Sequence, residues 1–406
     1  VAPEDIDRDV LVEELRRVFA DLHVHIGSSE SGEAVKISAS RKLTFRSIAE
    51  EASERKGVEL VGVIDGHSPP VQDDIARLLD EGEMEEIAGG GIRYRRTVIL
   101  LGCELEIREP GGGPFHLLAY LPTFEAMKRW TEWMRPRMAN VRLSSQRIRT
   151  TAREVQAEVL ARGGKLVPAH AFTPHRGLLG CSADRLDARL EPDGIAAVEL
   201  GLSADSDMAS RLSELDRYPF LTNSDAHSAR MIGRECNELL LKEPSFDEWA
   251  KALSGEQGRR ITANIGLHPL LGKYHGTQCA ACGRAFRPHE EEADVCPDCG
   301  SKRLVRGVSG RIERLADRER PFRLSGRPPY RRQVPLSFFP GLGPRMLDKL
   351  LHAFGSEMNV LHLVPYPDLS AVAGEALASL IVKARTGDLA LAAGAGGAYG
   401  KIKQGE

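Results

Sequence analysis

No apolar run in the 406-residue chain reaches the roughly 18 residues that a membrane-spanning helix needs. Residues 1–20 interleave acids with bases and offer no apolar export core, so a soluble, cytoplasmic protein is expected. Net charge is small as well. Lys and Arg number 55 against 58 Asp and Glu, a balance of −3, which taken alone disfavours a nucleic-acid binder. What is not lacking is core material: 42% hydrophobic and 28% charged residues exclude general disorder. At about 150 residues per domain, the length allows two or three domains, or one barrel with appendages.

Cysteine is sparse and odd in number, seven in all, which argues against the paired framework of a secreted protein. Four fall as two C-x-x-C pairs, Cys279 with Cys282 and Cys296 with Cys299, each on a turn that ends in Gly. Two such turns complete a tetrahedral site, so one structural Zn is expected there. Cys103, Cys181 and Cys236 stand apart and are expected as core thiols.

Histidines and acids gather at the ends of continuous apolar segments. His23 and His25 form H-x-H after V-F-A-D-L, and Asp65 and His67 follow L-V-G-V-I. Glu104 and Glu106 lie in V-I-L-L-G-C-E-L-E-I, and His116 opens F-H-L-L-A-Y-L. His170 closes K-L-V-P-A-H, and Asp225 and His227 close F-L-T-N-S-D-A-H. Unbroken apolar runs mark strands buried on both faces. Strands near 18–26, 59–65, 98–107, 115–121, 165–170, 196–201 and 220–225 alternate with helix-like stretches at 44–57 and 144–163. This favours an α/β fold, a β/α barrel of about seven strands largely parallel in direction. Strand ends form the functional face of such barrels, so these side chains would share one cavity. We read them as a site for two or three divalent metals. Imidazoles favour Zn, Mn or Fe over Mg.

The motifs H-x-H, D-x-H, G-C-E-L with F-H-L-L downstream, P-A-H and D-A-H resemble the polymerase and histidinol phosphatase (PHP) superfamily of metal-dependent phosphoesterases. E-L-G-L-S-A-D, T-N-S-D-A-H-S, I-G-R-E and H-P-L-L-G-K-Y-H narrow the resemblance to the endonuclease Q family of DNA-repair enzymes, over about residues 20–305. The resemblance implies a distorted (β/α)7 barrel and activity 5′ to deaminated bases. Its metal ligands would be His23, His25, Asp65, His67, Glu104, His116, His170, Asp225 and His227, with Glu106 as the alternative to Glu104. Two departures stand out: the loop after His25 reads G-S-S-E-S-G-E without a further His, and Gly66 separates Asp65 from His67. Phosphodiester hydrolysis needs an activated water, neutralised phosphate oxygens and a stabilised leaving alkoxide, which two metals about 3.5–4 Å apart supply. Asp225 and His227 are expected to hold the metal on the nucleophile's side. His170 and His116 would hold the one facing the phosphate, with Glu104 as the bridge. His175, Asp205, Asn223 and Ser224 are candidates for a pocket that receives an extruded base.

The near-zero charge conceals two basic blocks. Residues 302–332 carry eleven Lys and Arg against three acids, and residues 128–153 carry Lys128 and seven Arg against Glu132 alone. Arg142, Gln146, Arg147 and Arg149 are candidate phosphate contacts, and Trp130 and Trp133 candidates for stacking on a displaced base. P-G-L-G-P-R-M-L-D-K-L-L resembles half of a helix-hairpin-helix element, in which Gly341, Gly343 and Lys349 would meet a phosphate. The expected order is a barrel over 1–270, a zinc ribbon over 271–305, a basic linker over 306–335 and a helical helix-hairpin-helix-like domain over 336–406, its last residues from 391 frayed. DNA is the expected partner; no sliding-clamp or repair partner is named by the sequence. Two other functions stay open: a PHP phosphatase acting on a small phosphomonoester, and a non-catalytic DNA-damage-binding protein.

Overall fold

The computed structural model describes residues 14–287, 290, 293–388, 391, 392, 394, 399, 401 and 402. The start of the acid–base stretch at 1–13 and much of the expected frayed tail lie outside the described residues.

Seven strands form a closed ring: β1 (Arg16–Val24), β2 (Leu60–Val63), β3 (Thr97–Ile107), β4 (Phe115–Leu121), β5 (Lys165–Pro168), β6 (Val198–Glu199) and β7 (Phe220–Leu221). Their apolar residues alternate between two cores, as period-two strands buried on both faces require. Along β3, Val98 and Leu100 face inward beside Tyr120 while Ile99 and Leu101 join the outer core with α1 (Phe45–Glu50) and α2 (Pro69–Asp80). Parallel pairing runs β1–β2–β3 and β6–β7. Between β5 and β6 the ring is held by Ala196 N–H to Leu166 O (2.9 Å) and Ala171 N–H to Glu199 O (2.8 Å). It closes where His25 N–H donates to Ala226 O (3.0 Å) and Ala226 N–H to His23 O (3.1 Å).

The expected parallel order fails at one strand. β4 pairs antiparallel with both β3 and β5, because the connection 108–114 is a tight turn and too short for the crossover a parallel neighbour demands. Helix α1 starts at Thr44 in a capping box, and its continuation ends at left-handed Gly57 (φ 75°). Helix α3 spans Phe124–Met134. The helix expected from Ser144 begins later, as α4 (Ala152–Ala161), capped by Thr151 and Glu154. Residues 144–145 instead form a turn and 146–148 run beside β3, with Gln146 O accepting from Glu106 N–H and Ile148 N–H donating to Glu106 O (both 3.1 Å).

Beyond the ring, β8 (Cys236–Leu241), β9 (Arg260–Leu267) and β10 (Tyr330–Gln333) extend the sheet from β1, with α5 (Phe246–Ser254) packed on β8 and β9. The segment 306–335, expected as a linker or extended arm, contains both α6 (Val308–Leu315) and β10, which pairs with β9 from Asn264↔Tyr330 to Leu267↔Gln333. Val308 and Ile312, one helical turn apart, enter the barrel's outer core, and backbone pairing of β10 needs no apolar pattern. Arginines of this basic block clamp it down: Arg311 on Asp184 (2.7 Å), Arg318 on Asp216 (2.6 Å) and Arg331 on Glu238 (2.9 Å). Part of the charge expected to face phosphates is therefore neutralised internally. Three further helices, α7 (Pro344–Phe354), α8 (Tyr366–Ala373) and α9 (Glu375–Thr386), pack on β9 through Ile265, Leu267, Leu350, Leu369 and Ile381. No helix among the described residues is long and apolar enough to cross a membrane.

Candidate metal centre

One mouth of the ring collects the titratable side chains. β1, β2, β3, β5, β6 and β7 bring them at or just beyond their C-terminal ends, and antiparallel β4 brings His116 from its beginning. The Nε2 atoms of His23 and His25 are buried without a hydrogen-bond partner among the described residues. Their Nδ1 atoms are engaged: His23 faces Glu199 Oε1 at 3.0 Å and His25 faces Asp65 Oδ2 at 3.1 Å. Carboxylates on Nδ1 fix the ring tautomer that leaves Nε2 for a cation. Glu104 lies at the centre. Its Oε1 is 2.8 Å from His116 Nδ1, 3.4 Å from His170 Nε2 and 3.6 Å from His23 Nε2, and its Oε2 is 3.5 Å from His25 Nε2. Asp225 Oδ1 is 3.5 Å from both His23 and His25 Nε2. Three sets of ligand atoms fall within 4.8 Å of one another: His23, His25 and Glu104; His25, Asp225 and His227; Glu104, His116 and His170. Orphaned imidazole nitrogens around a carboxylate fit divalent metals and have no other satisfied role in this core.

Charges follow this arrangement. Burial opposes ionisation of His23, yet Glu199, Asp225 and Glu104 around it raise its pKa to about 10. Glu104 and Asp225 resist burial and stay well below the usual carboxylate range, Glu104 through His116 and Lys36, Asp225 through His23 and His25. Burial pushes His227 down to about 4, so its imidazole is neutral and ready to ligate. Two candidate ligands sit on left-handed backbone, His170 at φ 30° and Asp225 at φ 47°, conformations that side chains other than Gly adopt at a cost and that recur at functional sites.

Asp65 and His67 stand outside the three sets. Asp65 accepts from Ile26 N–H (2.7 Å) and supports His25, with its pKa depressed to about 2 because His25 and its other cationic neighbours outweigh burial. His67 turns Nε2 toward Leu143 O (3.4 Å). Glu106 pairs with Arg176 at 2.9 Å, leaving Glu104 as the carboxylate of the cluster. Sequence reading missed two members: Glu199, which also accepts from Asn223 Nδ2 (2.8 Å) and His170 N–H (2.7 Å), and Lys36.

A cavity of about 600 Å³ opens on this mouth, lined in part by Thr173, Arg176, Ser203, Lys273, Tyr274 and Tyr399. Of the four base-pocket candidates, His175 and Asn223 line it; His175 meets Tyr274 edge-on at 5.4 Å. Asp205 instead caps a helical turn at Met208 N–H (2.9 Å), and Ser224 is buried with its N–H on Asp21 (3.0 Å). Trp130 is fully buried and not free to stack on a base; Trp133, half-buried, stacks on it at 4.9 Å and carries Arg137 over its ring at 4.3 Å. Arg142, in a turn, and Arg147 and Arg149 are exposed and Gln146 is half-buried beside the mouth, Arg142 pairing with Glu33. Gly341 (φ 81°) and Gly343, the N-cap of α7, are exposed. Lys349 donates to Val372 O (2.7 Å).

The four cysteines converge separately, Cys279 on Cys299 and Cys282 on Cys296, each pair at 3.6 Å. Backbone N–H groups of the first turn, those of Cys282 and Ala281, hold the Cys279 thiol down to about 6, as a thiolate ligand requires. Among the described residues the apolar cluster here is Cys279, Phe286 and Cys296 with Ala293 and Leu304, too small to fold a lobe without metal.

A seven-stranded ring with this mouth defines a metal-dependent hydrolase of the PHP superfamily, and a PHP-associated family model matches residues 205–256. The lesion-specific endonuclease PfuEndoQ from Pyrococcus furiosus is 32% identical over 96% of each chain, with a TM-score of 0.84. An endonuclease Q structure holding a 27-mer duplex substrate with an abasic lesion at the active site matches equally, at TM-score 0.84 and 32% identity over 96% of this chain and 97% of that one. The uncharacterized protein YqxK of Bacillus subtilis (strain 168) is 49% identical over 96% of this chain and 100% of its own length. This chain belongs to the endonuclease Q family.

Proposed function

We propose that the chain is a DNA-repair endonuclease that hydrolyses the phosphodiester 5′ to deaminated bases (hypoxanthine, uracil, xanthine) and to abasic sites. It would use two or three divalent ions (Zn, Mn, Fe or Mg) in the barrel and one Zn in the four-cysteine ribbon. The observation that carries this reading is the pooling of orphaned His23 and His25 nitrogens with Glu104, His116, His170, Asp225 and His227 at the mouth of a cavity. It gains support from near full-length similarity to an endonuclease crystallised with an abasic duplex.

Bound divalent ions supply charge for the phosphate oxygens and acidify a water. The chain's own residues do the rest. Asp225 and His227 hold the nucleophile's side, His116 and His170 the phosphate's side, and Glu104 joins the two. Glu199 and Asp65 fix the His23 and His25 rings. The extruded nucleotide enters the cavity, where His175, Tyr274, Lys273 and Arg176 offer stacking edges and donors. Arg147 and Arg149 beside the mouth and the Gly341–Gly343 turn hold backbone phosphates. In this reading the barrel cuts, the zinc ribbon is a rigid flank, and the helices from 336 onward grip duplex.

The test is a labelled duplex carrying uracil, hypoxanthine or an abasic site, incubated with Mn²⁺, Mg²⁺ or Zn²⁺. A nick 5′ to the lesion is expected. Phosphate release from small monoesters alone, or tight binding without product, would overturn the reading in favour of a phosphatase or a damage-binding protein.

A further inference from the structure

The loop after β1 carries a lysine into the metal centre that the proposed chemistry does not use. Lys36 is anchored by its N–H on Ile26 O (3.0 Å), and its side chain is only 16% exposed. Its Nζ lies 3.3 Å from Glu104 Oε2 and donates to Ser145 Oγ, which donates in turn to the same carboxylate oxygen. Ser145 reaches this place on left-handed backbone (φ 53°), in the turn just before the segment paired with β3. The two Glu104 oxygens thus have different neighbours. Oε1 faces His116, His170 and His23, whereas Oε2 faces His25, a hydroxyl and an ammonium.

We propose that Lys36 is a resident cation of the centre, holding the Oε2 side of Glu104 against a further divalent ion and limiting the barrel to two. This rests on the metal-dependent reading above. A divalent ion ligated by Oε2 would need that oxygen at about 2.0–2.2 Å. The ammonium and Ser145 already occupy its donor directions, and like charges at such separation repel. The two remaining places then share the Oε1 side of Glu104: one with His116 and His170, the other with His23, whose Nε2 is 3.6 Å from Oε1, beside His25, Asp225 and His227. The cation adds positive charge to the cavity wall, which Lys36 also lines, without adding an ion that must be acquired.

The experiment is a count of Mn²⁺ per full-length chain, by elemental analysis after stripping and reloading, with ribbon zinc counted apart. Two Mn²⁺ are expected in the natural protein, and a third in Lys36→His, which exchanges the cation for a ligand. Lys36→Met is expected to bind the two Mn²⁺ at least tenfold more tightly, because a repelling charge is gone. Lys36→Arg keeps the charge and is expected to keep both count and affinity; it also serves if the Met variant fails to fold. Three Mn²⁺ in the natural protein, or weaker Mn²⁺ binding by a folded Lys36→Met, would overturn the assignment of Lys36 alone. No Mn²⁺ uptake at all would instead overturn the metal-dependent reading beneath it.

Discussion

Replacing Glu199 with glutamine keeps the shape of the site and removes one charge from behind His23. Glu199 Oε1 faces His23 Nδ1 at 3.0 Å, and its two oxygens accept from Asn223 and from His170 N–H, so an amide can keep part of this network. Losing a charge-assisted bond weakens the interaction by about 1.5–3 kcal/mol, or about ten- to a hundredfold in metal affinity. That range matches what supporting carboxylates behind metal-binding histidines usually contribute. A second effect has the opposite sign. In the metal-free protein the His23 pKa is raised from 6.5 to about 10, so its protonated form contributes stability fully below about 6.5, and this is lost as pH rises toward 10. At pH 7 a metal must therefore displace a proton held by about 4 kcal/mol. Metal affinity of the natural protein is expected to rise close to tenfold per pH unit above neutrality. In Glu199→Gln that slope should flatten at a lower pH, while the plateau affinity drops about ten- to a hundredfold. A competition titration against a chromophoric chelator across this pH range reads both quantities. An unchanged plateau together with an unchanged slope would refute the role given to Glu199.

Asp225→Ala is expected to abolish nicking while leaving lesion-duplex binding within about threefold, read by gel cleavage beside fluorescence anisotropy; retained cleavage would remove Asp225 from the chemistry. Cys282→Ser, or removal of zinc by chelation, should open the lobe around Cys279 and Cys296 to protease while the barrel keeps its far-ultraviolet signal, because so small an apolar cluster cannot hold it. Gly27→Ala would place a Cβ 1.9 Å from Ser40 O, so the loop after β1 must shift; the midpoint of thermal denaturation should fall.

All seven ring strands were legible because buried strands write unbroken apolar runs, and most of the candidate ligands that share the mouth because each run ended in His, Asp or Glu. Glu199 obeyed the same rule, ending A-A-V-E-L within the expected strand 196–201, and applying the rule evenly would have found it. Lys36 had no such mark. Its position depends on a loop folding back on Ile26, a contact that no local pattern encodes. The direction of β4 was hidden because an apolar run reads alike both ways; the short 108–114 connection was the available signal. Asp65 and His67 matched the ligand pattern too; they lie outside the three ligand sets, although Asp65 Oδ1 and His67 Nδ1 are buried without a hydrogen-bond partner among the described residues. The segment 306–335 was misjudged for a related reason. A strand added at a sheet edge is held by backbone bonds, and its arginines look the same in sequence whether they face solvent or a buried acid.

That added strand has a mechanical consequence. Gln333 at the end of β10 donates to Gly233 O (2.8 Å) and Arg234 O (2.9 Å), and Arg234 donates to Ser224 O (2.8 Å), next to Asp225. About ten residues further on, α7 begins. The C-terminal helices are therefore not a swinging anchor searching a volume around the barrel; in the proposed reading they would form the second jaw of a caliper whose first jaw is the metal mouth. A duplex seated against the Gly341–Gly343 turn would present one phosphodiester, at a set number of base pairs away, to Asp225. A lesion out of step with that spacing would be reached only by shifting the whole duplex along its groove.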